Sequence, residues 1–218
     1  MRAALWTEAV GSFLLFATVI GSGIMAESLS GGNVALALLG NTAATAAMLY
    51  VLIAMLAPLS GAHFNPAVTL VMTLRGEGTW GGFIAMVAAQ VGGGVLGVWT
   101  SHAMFDLPIW QVSQHLRGGS GQWLGEFVAT FGLVTTILLT ARHRPQSVPA
   151  SVALYIAAAY WFTSSTSFAN PAITLARSLS DTFAGIAPAS VFGFVAAQFA
   201  GALAANAFDK AVMNQPKP

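Results

Sequence analysis

The sequence predicts an all-α membrane protein, in which six transmembrane helices and two re-entrant half-helices form an inverted repeat. Three observations lead to this fold class. Charged residues make up 7% of the 218 residues and hydrophobic residues 56%, whereas about a quarter of the residues in soluble domains are charged. Long uncharged runs divide the chain, and two of them contain the same Asn-Pro-Ala sequence near their ends. Motifs of the first half also recur in the second half.

The runs of low charge give the number of spans. A membrane-spanning helix needs about 20 apolar residues. Four runs with at most one charge hold one such helix each, at residues 9–26, 78–105, 122–141 and 182–208. Two further runs, 28–74 and 145–176, contain 47 and 32 uncharged residues. Each of these two runs is too long for one crossing and too short for two, so each predicts a full span followed by a shorter segment.

Both longer runs contain an Asn-Pro-Ala sequence that predicts the start of a short helix. Small and polar residues precede Asn65 and Asn170. Asn is a preferred N-cap, and Pro is favoured at the first helical position. About ten helix-competent residues follow each Asn, and they would cover about 15 Å, or half of the hydrocarbon core. Non-helical backbone at membrane depth must be buried in protein or line a wet cavity, so two half-spans imply a cavity.

Three pairs of motifs indicate an internal duplication. The paired residues lie 118, 105 and 108 positions apart: Glu8 with Glu126, Asn65 with Asn170, and Gln90 with Gln198. We therefore expect a single domain over residues 1–218, with repeat one at about 1–105 and repeat two at about 121–218. Each repeat contains three spans and one half-span. Because three is odd, the second repeat enters the membrane upside down.

The basic residues orient the predicted spans, since they are enriched on the cytoplasmic side of membrane proteins. With a cytoplasmic N-terminus, six of them fall inside: Arg2, Arg75, Arg142, Arg144, Lys210 and Lys217. Only Arg117 and Arg177 then fall on the outer side. We expect a multi-pass protein of the cell inner (plasma) membrane, with both termini in the cytoplasm.

Inversion brings the N-termini of the two half-helices together near the membrane midplane. Each N-terminus carries unpaired N–H groups and about half a positive charge from the helix macrodipole. The side-chain oxygens of Asn65 and Asn170 can accept backbone N–H groups while each amide still presents two donors. Such a constriction favours neutral acceptors, such as water and hydroxyl compounds, and repels cations and protons.

These segments resemble the paired signature of the aquaporin (major intrinsic protein) family. The resemblance covers nearly the whole chain and is carried by the segment from His63 to Thr69, by the second Asn-Pro-Ala, and by the repeated Glu and Gln motifs. It implies a passive channel, not an enzyme, that forms a homotetramer in the lipid bilayer and contains no cofactor or metal. The implied pore constriction consists of Asn65, Pro66, Ala67, Asn170, Pro171 and Ala172.

Two acidic residues and one histidine are candidates for functional roles inside the membrane. Glu8 and Glu126 are either proton or cation ligands or, as the resemblance favours, braces for the extended backbone before each half-helix. His63 is expected to line the cytoplasmic vestibule, as the matching His does in aquaporins. A pH-sensing role for His63 is the less favoured alternative.

The position after the second Asn-Pro-Ala departs from the family pattern. Most aquaporins have an Arg there, in the polar wall of the selectivity filter, and this chain has Ile173. The nearest cation is Arg177, four residues later and so on the same helical face, one turn further outward. Because helical side chains lean toward the N-terminus, Arg177 can point back toward the pore. Alternatively, it pairs with Asp181 at the outer mouth.

The family's usual spacing from the Asn residues assigns three further positions to the filter beside Ile173: Thr45, Ala158 and Ser167. Water-selective members generally have an aromatic residue and a His at the first two of these positions, and Thr45 and Ala158 are smaller. The resemblance thus favours a wide filter that passes water and small uncharged solutes. These solutes include glycerol-like polyols and neutral metalloid hydroxides such as arsenous acid. The alternative is a strictly water-selective channel.

Other classes of function are less compatible with the sequence. A net charge of +1, with scattered basic residues, offers no patch for nucleic acid. A secondary transporter also uses inverted repeats and broken helices, but neither half-helix has an acidic pair near it for a coupling ion. An intramembrane enzyme would need a constellation that four scattered His and zero Cys do not provide. A structural junction protein would be recognised by its impermeability.

Overall fold

The computed structural model describes residues 2–213, and helices dominate this part of the chain. The six longer helices are α1 (Arg2–Leu29), α2 (Val34–Ser60), α4 (Trp80–Met104), α5 (Ser120–His143), α6 (Val148–Phe162) and α8 (Pro188–Met213). The two short helices are α3 (Pro66–Leu74) and α7 (Pro171–Arg177). These are the predicted six spans and two half-helices, so the fold class is confirmed. Lys217, which was used above for orientation, lies outside the described residues.

Five of the longer helices are long and apolar enough to cross a membrane, and α6 is the exception. Its 15 residues cover about 22 Å, and the 3-10 turn Pro145–Ser147 in front of it adds about 6 Å. Together they approach the thickness of the hydrocarbon core, about 30 Å. Large apolar side chains on the outer surface of the bundle, such as Phe192 at 82% exposure, are compatible with lipid contact.

Glycines allow the closest helix pairs to form at matching places in the two repeats. A Cβ atom on Gly93 of α4 would collide with the backbone oxygen of Ala9 in α1. A Cβ atom on Gly201 of α8 would likewise collide with the backbone oxygen of Phe127 in α5. Small residues at such contacts let helix backbones approach closely, which is how helices associate in lipid. The α1–α4 and α5–α8 pairs thus form the walls against which the half-helices pack.

The half-helices are shorter than predicted, with nine residues in α3 and seven in α7 instead of about ten. In α7 the Ser178 hydroxyl donates to the backbone oxygen of Leu175 at 2.7 Å. The backbone oxygen of Arg177 accepts from the N–H of Ile186, outside the helix. These partners satisfy the last carbonyl groups and end the helix early.

The backbone before each half-helix has the same unusual conformation. Three residues have positive φ in each repeat, separated by the 105-residue offset: Gly61 with Thr166, Ala62 with Ser167, and Phe64 with Ala169. Only one of these six residues is a glycine, and left-handed backbone costs other residues about 1 kcal/mol or more each. The surrounding structure must therefore hold both segments in place.

Polar contacts also fix the far end of each half-helix. Asp209 of α8 accepts from Arg75, at the end of α3, at 2.9 Å, and from Arg142 of α5 at 2.8 and 2.9 Å. At the opposite end of the bundle, His102 Nε2 lies 2.9 Å from the hydroxyl oxygen of Ser180, just after α7. The end of α3 is therefore anchored to α8, and the residues after α7 are anchored to α4.

Candidate functional site

The two half-helices meet N-terminus to N-terminus through reciprocal hydrogen bonds. Asn65 Nδ2 donates to the backbone oxygen of Ala169 at 2.8 Å, and Asn170 Nδ2 donates to that of Phe64 at 2.7 Å. Each Asn side-chain oxygen accepts the N–H two residues later in its own helix, at 2.9 Å and 3.0 Å. Each Asn therefore caps its own half-helix and binds the extended segment of the other repeat.

This arrangement corrects the expected number of free donors. A primary amide has two N–H donors, and one from each Asn is used by the opposite repeat. Asn65 and Asn170 both line the central cavity, so each has one donor left for a solute there. The prediction of two free donors per Asn was wrong, because it considered each capped helix without the carbonyl group that the other repeat contributes.

The Glu8 carboxylate binds the extended segment before α3. Oε1 accepts from the Ser60 hydroxyl at 2.7 Å and from the backbone N–H of His63 at 2.9 Å. Oε2 accepts from the backbone N–H of Phe64 and from Gln90 Nε2, both at 2.7 Å. Four donors thus surround a carboxylate that is completely buried. A buried charge is tolerated in such a setting because its acceptor sites are filled.

Glu126 has the corresponding contacts in the second repeat. Its two oxygens accept from the backbone N–H groups of Phe168 and Ala169, each at 2.8 Å, and Gln198 Nε2 donates to it at 2.6 Å. Glu126 is also completely buried, and neither carboxylate is part of the cavity lining. This is the geometry that the bracing hypothesis expects, and the role itself stays a proposal.

A cavity of about 230 Å³ lies between the half-helices and the long helices. One end is lined by His63 and Glu77, and the other by Phe168 and Arg177. Most of the wall between them is apolar, with Leu15, Val19, Ile53, Leu133, Val152 and Ile156 among its residues. Both Asn residues face this wall, so the cavity can pass a solute that satisfies a few donors and has apolar surface elsewhere.

His63 lines the cavity at the expected position. Its Nδ1 lies 3.1 Å from the hydroxyl oxygen of Thr69, which accepts from Gln90 at 2.9 Å and lies 3.0 Å from the backbone oxygen of Asn65. The imidazole is thus linked to the network that holds Glu8. By the 105-residue offset, the position that corresponds to His63 in repeat two is Phe168. The two ends of the cavity therefore differ in chemistry although the backbone is repeated.

The structure brings together four of the five predicted filter residues and excludes one. Thr45, Ser167, Ile173 and Arg177 all line the cavity. Ala158 is exposed on the outside of α6, and Tyr160 lines the cavity instead. At 3.6 residues per turn, two residues along a helix are separated by about 200° of rotation. The assignment of Ala158 to the cavity wall is therefore corrected to Tyr160, because this rotation places Ala158 on the outer face of α6.

Tyr160 adds bulk and a hydroxyl group where the sequence predicted a small residue. Its hydroxyl oxygen lies 3.5 Å from the hydroxyl oxygen of Thr45, on the facing helix α2. Both side chains are almost fully buried, at 5% and 4% exposure. This part of the cavity is thus narrower and more polar than Thr45 and Ala158 together would make it.

Substitutions at these two α6 positions are expected to differ in their effect on solute flux. Tyr160→Ala removes the ring from the cavity wall, and we expect glycerol flux to rise about twofold or more, because pore diameter controls passage. Ala158→Val changes the size of an exposed side chain on the outer face of the same helix and is expected to leave glycerol flux unchanged. Stopped-flow light scattering of proteoliposomes measures both. Equal effects of the two substitutions would contradict the assignment of Tyr160.

Arg177 faces the cavity and does not pair with Asp181. Its Nε donates to the backbone oxygen of Ala184, and its guanidinium carbon lies 3.4 Å from the centroid of the Phe168 ring. Asp181 Oδ1 instead lies 3.9 Å from His115 Nε2. The alternative of an Arg177–Asp181 pair is therefore wrong. A cation–π contact with Phe168 and one backbone acceptor, Ala184, replace the carboxylate as partners of the buried guanidinium.

Two contributors to the outer end were missed in the sequence. Phe168 supports Arg177, and Arg117, in the segment between α4 and α5, lies with its guanidinium carbon 5.3 Å from the same ring centroid. The 105-residue offset from His63 was a signal for Phe168. Arg117 had no comparable signal, since it lies outside both repeats.

The chain is similar to known proteins along nearly its whole length. The sequence model of one family, described as Major intrinsic protein, matches residues 1–166. The protein "Aquaglyceroporin AqpS" from Rhizobium meliloti (strain 1021) is 53% identical over 211 residues, which make up 97% of this chain and 90% of that protein. The X-ray structure of the aquaglyceroporin from Plasmodium falciparum has a TM-score of 0.76 at 18% identity, covering 98% of this chain and 97% of that one.

Proposed function

The chain belongs to the major intrinsic protein family of membrane channels, and we propose that it is a passive channel for water and glycerol-like uncharged solutes. The proposal agrees with the name of its relative from Rhizobium meliloti, an aquaglyceroporin. The proposed channel occupies one domain over residues 1–218, with the repeats at 1–105 and 121–218. It needs no cofactor, metal or catalytic residue for its function.

The observation that carries the proposal is the composition of the outer end of the cavity. Ile173 occupies the position after the second Asn-Pro-Ala, and Arg177 stacks on Phe168 one turn further out. This end therefore has two apolar side chains beside its polar groups: Arg177, Ser167, Thr45 and Tyr160. A solute with hydroxyl groups on one side and C–H groups on the other fits such a wall, which is the chemistry of glycerol.

Exclusion of ions and protons is proposed to result from the centre of the cavity. Asn65 and Asn170 offer one free donor each at the meeting point of two helix N-termini, where the backbone dipoles are positive. Cations are repelled there, and anions meet an apolar wall that cannot replace their hydration shell. Neutral solutes are not repelled by the dipoles and have no ionic hydration shell to lose.

We propose neutral metalloid hydroxides, arsenous acid among them, as a finer substrate class. Arsenous acid carries three hydroxyl groups and no charge at neutral pH, so it offers the same kinds of donors and acceptors as a small polyol. The second candidate is strict water selectivity, which Tyr160 favours because its ring narrows the outer end of the cavity.

Assembly and location are also proposed from the family and the surface. We propose a homotetramer, with a pore in each protomer, because the bundle has an apolar exterior that adjoining protomers and lipid would share. We further propose that the tetramer lies in the cell inner (plasma) membrane with both chain termini in the cytoplasm. Nucleic acid has no role in this proposal.

Reconstitution tests the substrate range directly. Proteoliposomes containing the protein are exposed to gradients of sucrose, glycerol, urea and arsenous acid, and the volume change is followed by stopped-flow light scattering. We expect rapid water flux in sucrose and reswelling in glycerol and arsenous acid. Flux should rise linearly with the gradient and depend weakly on temperature. Water flux without any solute flux would favour the strict water channel, and saturable flux would favour a transporter.

A further inference from the structure

Two guanidinium groups lie around one aromatic ring at the outer end of the cavity, where Arg177 and Phe168 line the wall and Arg117 is not among the lining residues. Arg177 and Arg117 lie with their guanidinium carbons 3.4 Å and 5.3 Å from the centroid of Phe168. They approach from different parts of the fold, since Arg177 ends α7 and Arg117 precedes α5. Arg177 is 3% exposed, so water screens its charge poorly.

Neither guanidinium has a carboxylate partner within residues 2–213. The ion pairs found there involve Asp209 and Asp181, with Arg75, Arg142 and His115 as their partners. Glu126, the nearest buried acid, has its oxygens occupied by Phe168, Ala169 and Gln198. Glu126 attracts both guanidinium groups without contacting either. One acid near two neighbouring cations leaves an excess positive charge, and buried charges of one sign repel each other strongly.

Backbone oxygens compensate the two cations only in part. Arg117 donates to Gly185 at 2.7 Å and to Phe183 at 3.3 Å, and Arg177 donates to Ala184 between them. A guanidinium has five N–H donors, and most of those on Arg177 have no protein acceptor in the described part of the chain. Arg177 lines the cavity, so these donors are accessible from it.

A third polar group lies at this end, the hydroxyl group of Ser167. Its oxygen is buried, belongs to a residue that lines the same cavity, and has no hydrogen-bond partner among residues 2–213. Buried polar atoms are normally satisfied by protein or by bound molecules. Together with Arg177, Ser167 forms a site whose donors exceed its acceptors.

We propose that this end of the cavity is a binding site for a small planar monovalent oxyanion, which occupies the pore and slows solute flux. Planar oxygens match the guanidinium fork, and a single negative charge balances the excess at Arg117 and Arg177. The anion binds without crossing, because the wall beyond the Asn residues is apolar and Glu77 lines the far end. The proposal rests on the channel function proposed above, since its first readout is glycerol flux.

The test compares nitrate and formate with gluconate in proteoliposomes. Each anion is present on both sides at constant ionic strength, and glycerol flux is measured. We expect nitrate and formate at about 100 mM to slow the flux about twofold, as for a site that is half occupied near that concentration. Inhibition by nitrate alone identifies an inorganic anion, and inhibition by formate alone identifies a carboxylate. Unchanged flux with both anions overturns the proposal.

Variants separate the charge of Arg117 from its structural contacts. Arg117→Lys keeps the charge and is expected to keep the inhibition, whereas Arg117→Gln should lose at least half of it. Arg144→Gln is the matched control, because Arg144 is exposed at the opposite end of the bundle and loses the same charge. Equal inhibition of Arg117→Gln and the wild-type protein would contradict the proposal.

A second measurement keeps the proposal testable if the protein conducts no glycerol. Thermal unfolding of the purified protein is measured in nitrate and in gluconate. The change in melting temperature caused by nitrate should be more positive for the wild-type protein and Arg144→Gln than for Arg117→Gln, because only bound anion stabilises the folded state. Absence of glycerol flux with this difference present rejects glycerol conduction and retains the site. Absence of the difference rejects the site.

Discussion

Replacing Ile173 by arginine is expected to reduce glycerol flux about tenfold while water flux falls about twofold or less. The side chain lies in the cavity wall directly after the second Asn-Pro-Ala, next to the outer end formed by Phe168 and Arg177. A guanidinium there narrows the cavity and replaces an apolar contact that the carbon side of glycerol would use. A tenfold change corresponds to about 1.4 kcal/mol in the barrier, which is the size of one lost apolar contact with some desolvation.

The comparison of two solutes distinguishes a change in selectivity from a damaged protein. Water and glycerol flux are measured on the same proteoliposome preparation, and the amount of folded protein is determined in each. Ile173→Leu is the control, because it keeps the volume and the apolar character of the side chain. If Ile173→Arg lowers water and glycerol flux by the same factor, the hypothesis of a wide outer end is wrong.

Glu126→Ala is expected to reduce the yield of folded protein at least about fivefold. The substitution leaves the N–H groups of Phe168 and Ala169 and one N–H of the Gln198 amide without their acceptor. Each unsatisfied buried donor costs about 1–3 kcal/mol, and the total is a large part of the 5–15 kcal/mol that stabilises a typical protein. The extended segment that contains Ser167 and Ala169 at positive φ then loses the contacts that hold it.

Yield and flux must be measured separately to test this expectation. Size-exclusion chromatography gives the amount of folded protein, and flux is normalised to that amount. Glu8→Ala should also lower the yield, since Glu8 accepts from the equivalent backbone N–H groups in repeat one, whereas Glu27→Ala removes an exposed carboxylate and should have no effect. A normal yield of folded protein for Glu126→Ala with abolished flux would show that the carboxylate acts in conduction instead.

Several parts of the site were predictable because they depend on local or repeated features. Asn before Pro predicts a helix start wherever the segment lies, and both half-helices begin there. The offsets between Glu8 and Glu126 and between Gln90 and Gln198 indicated partners with equal roles, and their contacts are equivalent in the structure. Such features can be recognised in the sequence, because capping depends on neighbouring residues and a repeat is visible in the order of the residues.

The predictions that were wrong depend on the rotation of a helix about its axis and on partners that are distant in the sequence. The choice between Ala158 and Tyr160 depends on where α6 ends, and a shift of two residues turns the side chain to the opposite face. The free donors of Asn65 depend on a carbonyl group 104 residues away. Arg177 has its partner in Phe168 and not in Asp181, because the backbone after α7 directs Asp181 toward His115.

The membrane class, the six spans, the two half-helices and their inversion follow from the order of the residues alone, because low charge, capping and repetition are properties of that order. Which side chains line the cavity, and which donors remain free there, depends on the folded protein. Folding also brings Arg117 to Phe168, where it adds a second cation near the outer end. These contacts are set by the rotation and packing of the helices, and both depend on residues far apart in the chain.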